Sequence, residues 1–186
     1  MKVLLIIDMQ LGSFSPYSIR FNTLNIIAKI NQLSSSFRRE KLQVLFIKHN
    51  GTKENYLVPN TPEFDILPEL TQDNTDVTVI KEANDAFYQT ELQSILKQNN
   101  ITQLYICGCA TDYCVDATVK SALTKEYEIF IASDAHTTAN RPYIDAPTLI
   151  NHHNWLWADM TPTKHRITVL STDEIVASLL DKRQTK

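Results

Sequence analysis

The sequence predicts a three-layer α/β/α domain, doubly wound around about six mainly parallel strands. Two observations carry this. Short, almost wholly apolar runs of four or five residues recur along the chain, as expected of strands buried on both faces. Between most of them lie segments with helical periodicity, which is the rhythm of βαβ units and of a parallel sheet covered on both sides. A third observation, the absence of repeats, linkers and composition shifts across the 186 residues, makes residues 1–186 a single domain.

The elements follow in order. Val3–Ile7 is the first strand. Leu24, Ile27, Ile30 and Leu33 recur at three-residue steps and share one helical face. Val44–Ile47 is the second strand. The stretch from Asn50 to Pro68 carries Gly51, Pro59, Pro62 and Pro68 and reads as a long loop. Val77–Ile80 is the third strand and Glu91–Gln98 a short helix. Leu104–Cys107 is the fourth strand, followed by a helix over Asp112–Lys125. Ile129–Ala132 is the fifth, followed by a helix over Asp145–Trp157. Ile167–Leu170 is the sixth, and Thr172–Leu180 the last helix.

Composition excludes several functions. Only three glycines occur, Gly12, Gly51 and Gly108, where average usage of about 7% implies roughly 13. None are clustered, so neither G-x-G-x-x-G nor a Walker A loop exists to cradle a phosphate. The chain is 43% hydrophobic and 21% charged, with a net charge of -3 and no basic run beyond pairs such as Arg38-Arg39. That disfavours nucleic acid as a partner. The Lys182-Arg183 tail reads as a solvated end. The Val3–Ile7 run is too short for a signal-peptide core or a membrane span. Three cysteines do not suggest a disulfide framework, so a reducing cytoplasm is the expected compartment.

In doubly wound folds ligands bind beyond the carboxyl ends of the strands. This directs attention to Asp8, His49, Lys81, the segment from Gly108 to Cys114, and Asp134. Asp8 reads either as a cap or as a general base. Lys81 either reaches solvent or pairs with a carboxylate in the crevice. Cys107 reads as a small buried hydrophobe and Cys109 as a packing residue. Cys114 falls in the predicted first turn of a helix that Thr111 or Asp112 can cap. There the helix dipole, and a nearby lysine, are expected to lower its pKa and favour a thiolate nucleophile. The spacing of Cys107, Cys109 and Cys114 fits no common zinc motif.

Three motifs in order, Leu5-Ile6-Ile7-Asp8-Met9-Gln10, Lys81 with Ala86-Phe87, and Gly108-x-Ala110-Thr111-Asp112-x-Cys114-Val115-x-x-Thr118, resemble the isochorismatase-like cysteine hydrolases. The resemblance runs from residue 3 to about residue 135 and implies that family's Rossmann-like fold. It implies a catalytic triad of Asp8, Lys81 and Cys114, a cis Cys109-Ala110 peptide, and an oxyanion hole formed by the Ala110 and Cys114 N–H groups. It implies hydrolysis of an amide, ureide or carbamoyl C–N bond in a small molecule, through a Cys114 thioester. The founding activity of the family, on a vinyl ether, does not use the cysteine, so retention of Cys114 favours C–N chemistry. Nicotinamidases of the family carry Asp-x-His after the second strand, whereas here the stretch is Phe46-Ile47-Lys48-His49-Asn50. The expectation is therefore no catalytic metal and no cofactor. Phe-x-Gly-Thr, frequent after the lysine, is Phe87-Tyr88-Gln89-Thr90, and the usual serine before Ala-Phe is Asp85.

Phe14, His49, Phe87, Tyr113 and His136 are the expected pocket residues. His152, His153, Trp155 and Trp157 read as packing or subunit-contact groups, and a homo-oligomer, dimer or larger, is expected. Two alternatives stand beside the hydrolase. One is a non-catalytic small-molecule-binding module on the same fold. The other is a thiol redox protein, whose signature would be a Cys107–Cys109 or Cys109–Cys114 disulfide.

Overall fold

A computed structural model of the chain describes residues 1–180; the Lys182-Arg183 tail lies outside the described residues. Six strands form one sheet: β1 (Lys2–Ile7), β2 (Gln43–His49), β3 (Val77–Lys81), β4 (Gln103–Cys109), β5 (Glu128–Thr137) and β6 (Thr168–Leu170). Their spatial order is β3-β2-β1-β4-β5-β6, and every pairing is parallel. The helices are α1 (Thr23–Arg39), α2 (Leu92–Gln98), α3 (Asp116–Thr124), α4 (Ala146–Asp159) and α5 (Thr172–Leu180).

The two-residue side-chain period of a strand divides β1 between two cores. Val3, Leu5 and Ile7 face α2, α3 and Trp157 of α4. Leu4 and Ile6 face the apolar stripe Ile26, Ile27, Ile30, Leu33 and Phe37 of α1, with Ile175 and Leu179 of α5. An unbroken apolar run is what a strand with helices on both sides requires. Leu24, placed on the buried helical face by its spacing, is instead exposed at the start of α1.

Strand order reverses between β1 and β4, so a crevice opens beyond their carboxyl ends. Gly108 makes that junction possible. It pairs with Ile7 at φ +117, and a Cβ there would meet Ile7 N at 2.6 Å and collide with Ile7 O.

Two elements depart from expectation. The fifth strand does not stop at Ala132 but continues through Ser133–Thr137 after a bulge, which sets His136 opposite Gly108 and Thr137 opposite Cys109. The helix expected from Asp112 begins as a π turn over Thr111–Val115 and becomes α3 only at Asp116. No helix of the described residues is long and apolar enough to cross a membrane.

Candidate active site

Asp8, Lys81 and Cys114 arrive from three separate elements and meet at the switch point. Asp8 follows β1 in the left-handed region (φ 46), with its N–H on the Ile47 carbonyl at 2.9 Å. Lys81 ends β3, in register with His49. Cys114 rides on the π turn, whose Tyr113 and Val115 N–H groups both donate to the Ala110 carbonyl, at 3.0 and 3.1 Å.

The Lys81 ammonium is the hub. It donates to Asp8 Oδ2 at 2.7 Å, to the Ala83 carbonyl at 3.0 Å and to Cys114 Sγ at 3.3 Å, which uses all three of its hydrogens. Lys81 is 1% exposed and Asp8 5%. Burial alone would lower the lysine's pKa, but the adjacent Asp8 carboxylate and Cys114 sulfur outweigh it and the net direction is up. The other carboxylate oxygen, Asp8 Oδ1, is buried with no hydrogen-bond partner.

The Cys114 thiol departs from the sequence expectation. Burial pushes its pKa up, and the neighbouring Asp8 carboxylate pushes the same way. Lys81 opposes them without reversing the direction. The short π turn offers less than the regular helix start assumed from sequence, and a desolvated thiol beside a carboxylate keeps its proton. Cys109 and Cys107 are also raised, mainly by burial, Cys109 to about 12. All three cysteines are free.

The cavity above these groups has a volume of about 270 Å³. Its lining includes Asp8, Cys109, Ala110 and Cys114, together with Ser13, Arg20, Tyr56 and Arg141. Of the expected pocket residues, His49 and Tyr113 do line it. The His49 Nδ1 sits 3.5 Å from Lys81 Nζ, and its pKa is lowered by burial and then by Lys81.

Phe14, Phe87 and His136 do not line the cavity. Phe14 is fully buried in the core beneath α1. Phe87 packs in the opposite core and stacks on Tyr127. His136 is fully buried against Thr111 of the π turn. Asn154 donates its amide to Ser133 O, so its Oδ1 accepts from His136 Nε2 at 2.9 Å; Nδ1 is left to accept the Thr111 hydroxyl, also at 2.9 Å. Burial lowers its pKa to about 4, so it is neutral. Asp134 is likewise structural: one oxygen caps α5 through Thr172 N and Oγ1, both at 2.7 Å.

Other motif residues hold this frame. Gln10 accepts from His49 N at 2.7 Å and donates to His49 O at 3.0 Å and Phe64 O at 3.1 Å, tying β2 to the long loop. Thr118 Oγ1 accepts from Ala86 N at 3.1 Å, tying α3 to the segment after Lys81. Asp85 accepts from Phe87 N at 2.8 Å and so caps the turn it stands in. Trp157 is core, whereas Trp155 is 59% exposed against His152. The Cys109-Ala110 peptide is cis. No group of three His, Cys, Asp or Glu side chains among the described residues is placed to hold a metal ion.

Sequence reasoning missed Ser13, Arg20, Tyr56 and Arg141. They lie on loops or short turns with no periodicity to mark them. The Arg141 guanidinium forks onto Asp112 through Nε at 2.7 Å and Nη2 at 3.0 Å, and covers the Tyr113 ring at 4.7 Å.

Comparison with known proteins agrees with this frame. The family model described as the Isochorismatase domain matches residues 2–169. The uncharacterized isochorismatase family protein YrdC of Bacillus subtilis is 27% identical over 181 residues, 94% of each chain. The ureidoacrylate amidohydrolase RutB of Cronobacter turicensis is 28% identical over 66% of this chain, which spans about half (49%) of that relative's length. A crystal structure of a cysteine hydrolase from Pseudomonas syringae superposes with a TM-score of 0.87 at 19% identity, covering 97% of this chain and 92% of that one, and so shows the fold. The chain belongs to the isochorismatase family.

Proposed function

We propose that this member of the isochorismatase family is a cysteine hydrolase that cleaves a C–N bond of the amide, ureide or carbamoyl type in a small molecule. The observation that carries the reading is the Lys81 ammonium bridging the Asp8 carboxylate at 2.7 Å and the Cys114 sulfur at 3.3 Å, while Asp8 Oδ1 stays unpartnered. A carboxylate fixed through one oxygen has the other free to take a proton. The thiol whose proton it would take is held protonated at rest by burial and by that same carboxylate.

In this scheme the substrate enters, Asp8 accepts the Cys114 proton, and the sulfur attacks the carbonyl carbon. The tetrahedral oxyanion rests on the N–H groups of Ala110 and Cys114. Ala110 and Cys114 both line the cavity, which supports this placement. Asp8 then gives its proton to the leaving nitrogen, the C–N bond breaks, and ammonia or an amine departs from the thioester. A water loses a proton to Asp8 and attacks, the C–S bond breaks, and the sulfur recovers the proton. Lys81 holds the carboxylate and balances charge throughout. The names of relatives such as the amidohydrolase RutB support the reaction class.

The test is a screen of small amides, ureides and carbamoyl compounds for released ammonia or carbon dioxide, with Cys114→Ala as control. Turnover by the native protein and a loss of at least about a thousandfold in the variant are expected. Undiminished turnover by Cys114→Ala would overturn the scheme, and silence of the native protein across the panel would favour a binding module.

A further inference from the structure

The groups of the proposed reaction account for part of the cavity lining and leave the rest unassigned. The charged groups around the cavity resolve almost entirely into neutral sets. Asp8 is matched by Lys81 at 2.7 Å. Arg141 is matched by Asp112, which also accepts from the Thr138 hydroxyl at 2.6 Å. His49 is kept neutral by burial and by Lys81.

Arg20 is the exception. Its Nε donates to the Ser13 carbonyl at 2.9 Å, and no carboxylate of the described residues lies within ion-pair distance of it. Neither terminal nitrogen has a hydrogen-bond partner among the described residues. The residue is only partly exposed, and its charge acts on the buried Cys109 thiol, which also lines the cavity. Its backbone is held: the Arg20 carbonyl accepts from Thr23 Oγ1 at 3.1 Å, and the next residue, Phe21, donates its N–H to Thr138 O at 2.9 Å. Beside it the Ser13 hydroxyl already accepts from Tyr56 OH at 3.2 Å, so its own hydrogen is free to donate.

We propose that Arg20 and the Ser13 hydroxyl form an anion subsite that receives a carboxylate carried by the substrate, so that the preferred substrates are small acids bearing the amide or carbamoyl group. An unpaired guanidinium in a part-buried wall is unfavourable until an anion meets it, and its planar donor fork suits a carboxylate held by two parallel hydrogen bonds. Arg20, Ser13 and Cys114 line the same cavity of about 270 Å³, so one small molecule can meet all three. The identity of the scissile group rests on the hydrolase reading above; the charge argument does not.

Binding to the full-length Cys114→Ala protein separates the two. Calorimetry would compare N-carbamoylglycine with its methyl ester, which lacks the negative charge and carries one extra methyl group, and with N-carbamoylglycinamide, a neutral analogue of nearly the same size. The acid should bind at least tenfold more tightly than either. Arg20→Gln should weaken the acid at least tenfold and the ester less than threefold, and Arg20→Lys should recover part of the loss. An ester that binds as well as the acid, an equal loss of both in Arg20→Gln, or binding of neither at millimolar concentration would overturn the subsite. If Arg20→Gln fails to fold, the acid-to-ester ratio in the Arg20 protein decides alone. Tight, charge-dependent binding without hydrolysis by the Cys114 protein would sustain the subsite and remove the hydrolase reading instead.

Discussion

Two acid–base pairs stand at the same cavity, and they are built differently. Asp112 and Arg141 form a forked pair in which both Asp112 oxygens are filled. Two guanidinium nitrogens reach Asp112, the Thr138 hydroxyl adds a third bond, and the side chains are 14% and 25% exposed. Asp8 and Lys81, at the base, have side chains only 7% and 0% exposed and share a single contact, with Asp8 Oδ1 left bare. The Asp112 carboxylate is filled at both oxygens, and the pair fixes Arg141 in the cavity wall. The buried pair is kept incomplete at one atom, Asp8 Oδ1, which has no hydrogen-bond partner. What separates the two carboxylates is not charge but an unfilled acceptor held in place, which is the ground for proposing Asp8 as the base.

The contrast is open to substitution at either pair. Asp8→Asn has the largest expected effect: an amide cannot take the thiol proton or return it to the leaving nitrogen, so kcat should fall by about a thousandfold or more. Steady-state kinetics on any compound found in the screen would measure it, and a fall under tenfold would put the base elsewhere. Lys81→Met comes next and reads out in stability. It strands a buried carboxylate, so denaturant unfolding should show a loss of about 3–5 kcal/mol. A change under 1 kcal/mol would mean that water reaches Asp8 and that the pair is not desolvated. Asp112→Asn should do least, costing about 1 kcal/mol of stability because the rim pair is partly solvated. Its kcat should drop less than tenfold. If it matched Asp8→Asn in turnover, the distinction between the pairs would collapse.

The sheet was legible in sequence because each strand buried on both faces is an unbroken apolar run. The extension of β5 was not, because Ser133–Thr137 is largely polar and enters the sheet only through the bulge beside Gly108. That single error made His136 look like a loop residue at the cavity when it lies beneath the Thr111 turn. Asp8 and Lys81 were legible as charged residues directly after apolar runs. Phe14 and Phe87 were misplaced because closeness to a motif in sequence does not fix where a side chain points. Arg20 and Tyr56 left no trace, since they come from irregular connections brought together only by the fold. The state of Cys114 was misjudged for a related reason: a helix start is visible in sequence, but burial against a carboxylate 106 positions away is not.

That state of Cys114 is the most direct test of the central claim. The rate of iodoacetamide alkylation at Cys114, followed by peptide mass spectrometry against pH, can be compared between the native protein and Asp8→Asn. In the native protein burial and the Asp8 carboxylate hold the thiol's pKa above its ordinary value, so alkylation should be slow at pH 7 and still rising beyond pH 9. Removing the Asp8 charge leaves the Lys81 ammonium facing the sulfur, so the Asp8→Asn curve should shift to lower pH and label faster at neutrality while turnover collapses. A titration unchanged by Asp8→Asn, or a native Cys114 already fully reactive at pH 7, would contradict the account.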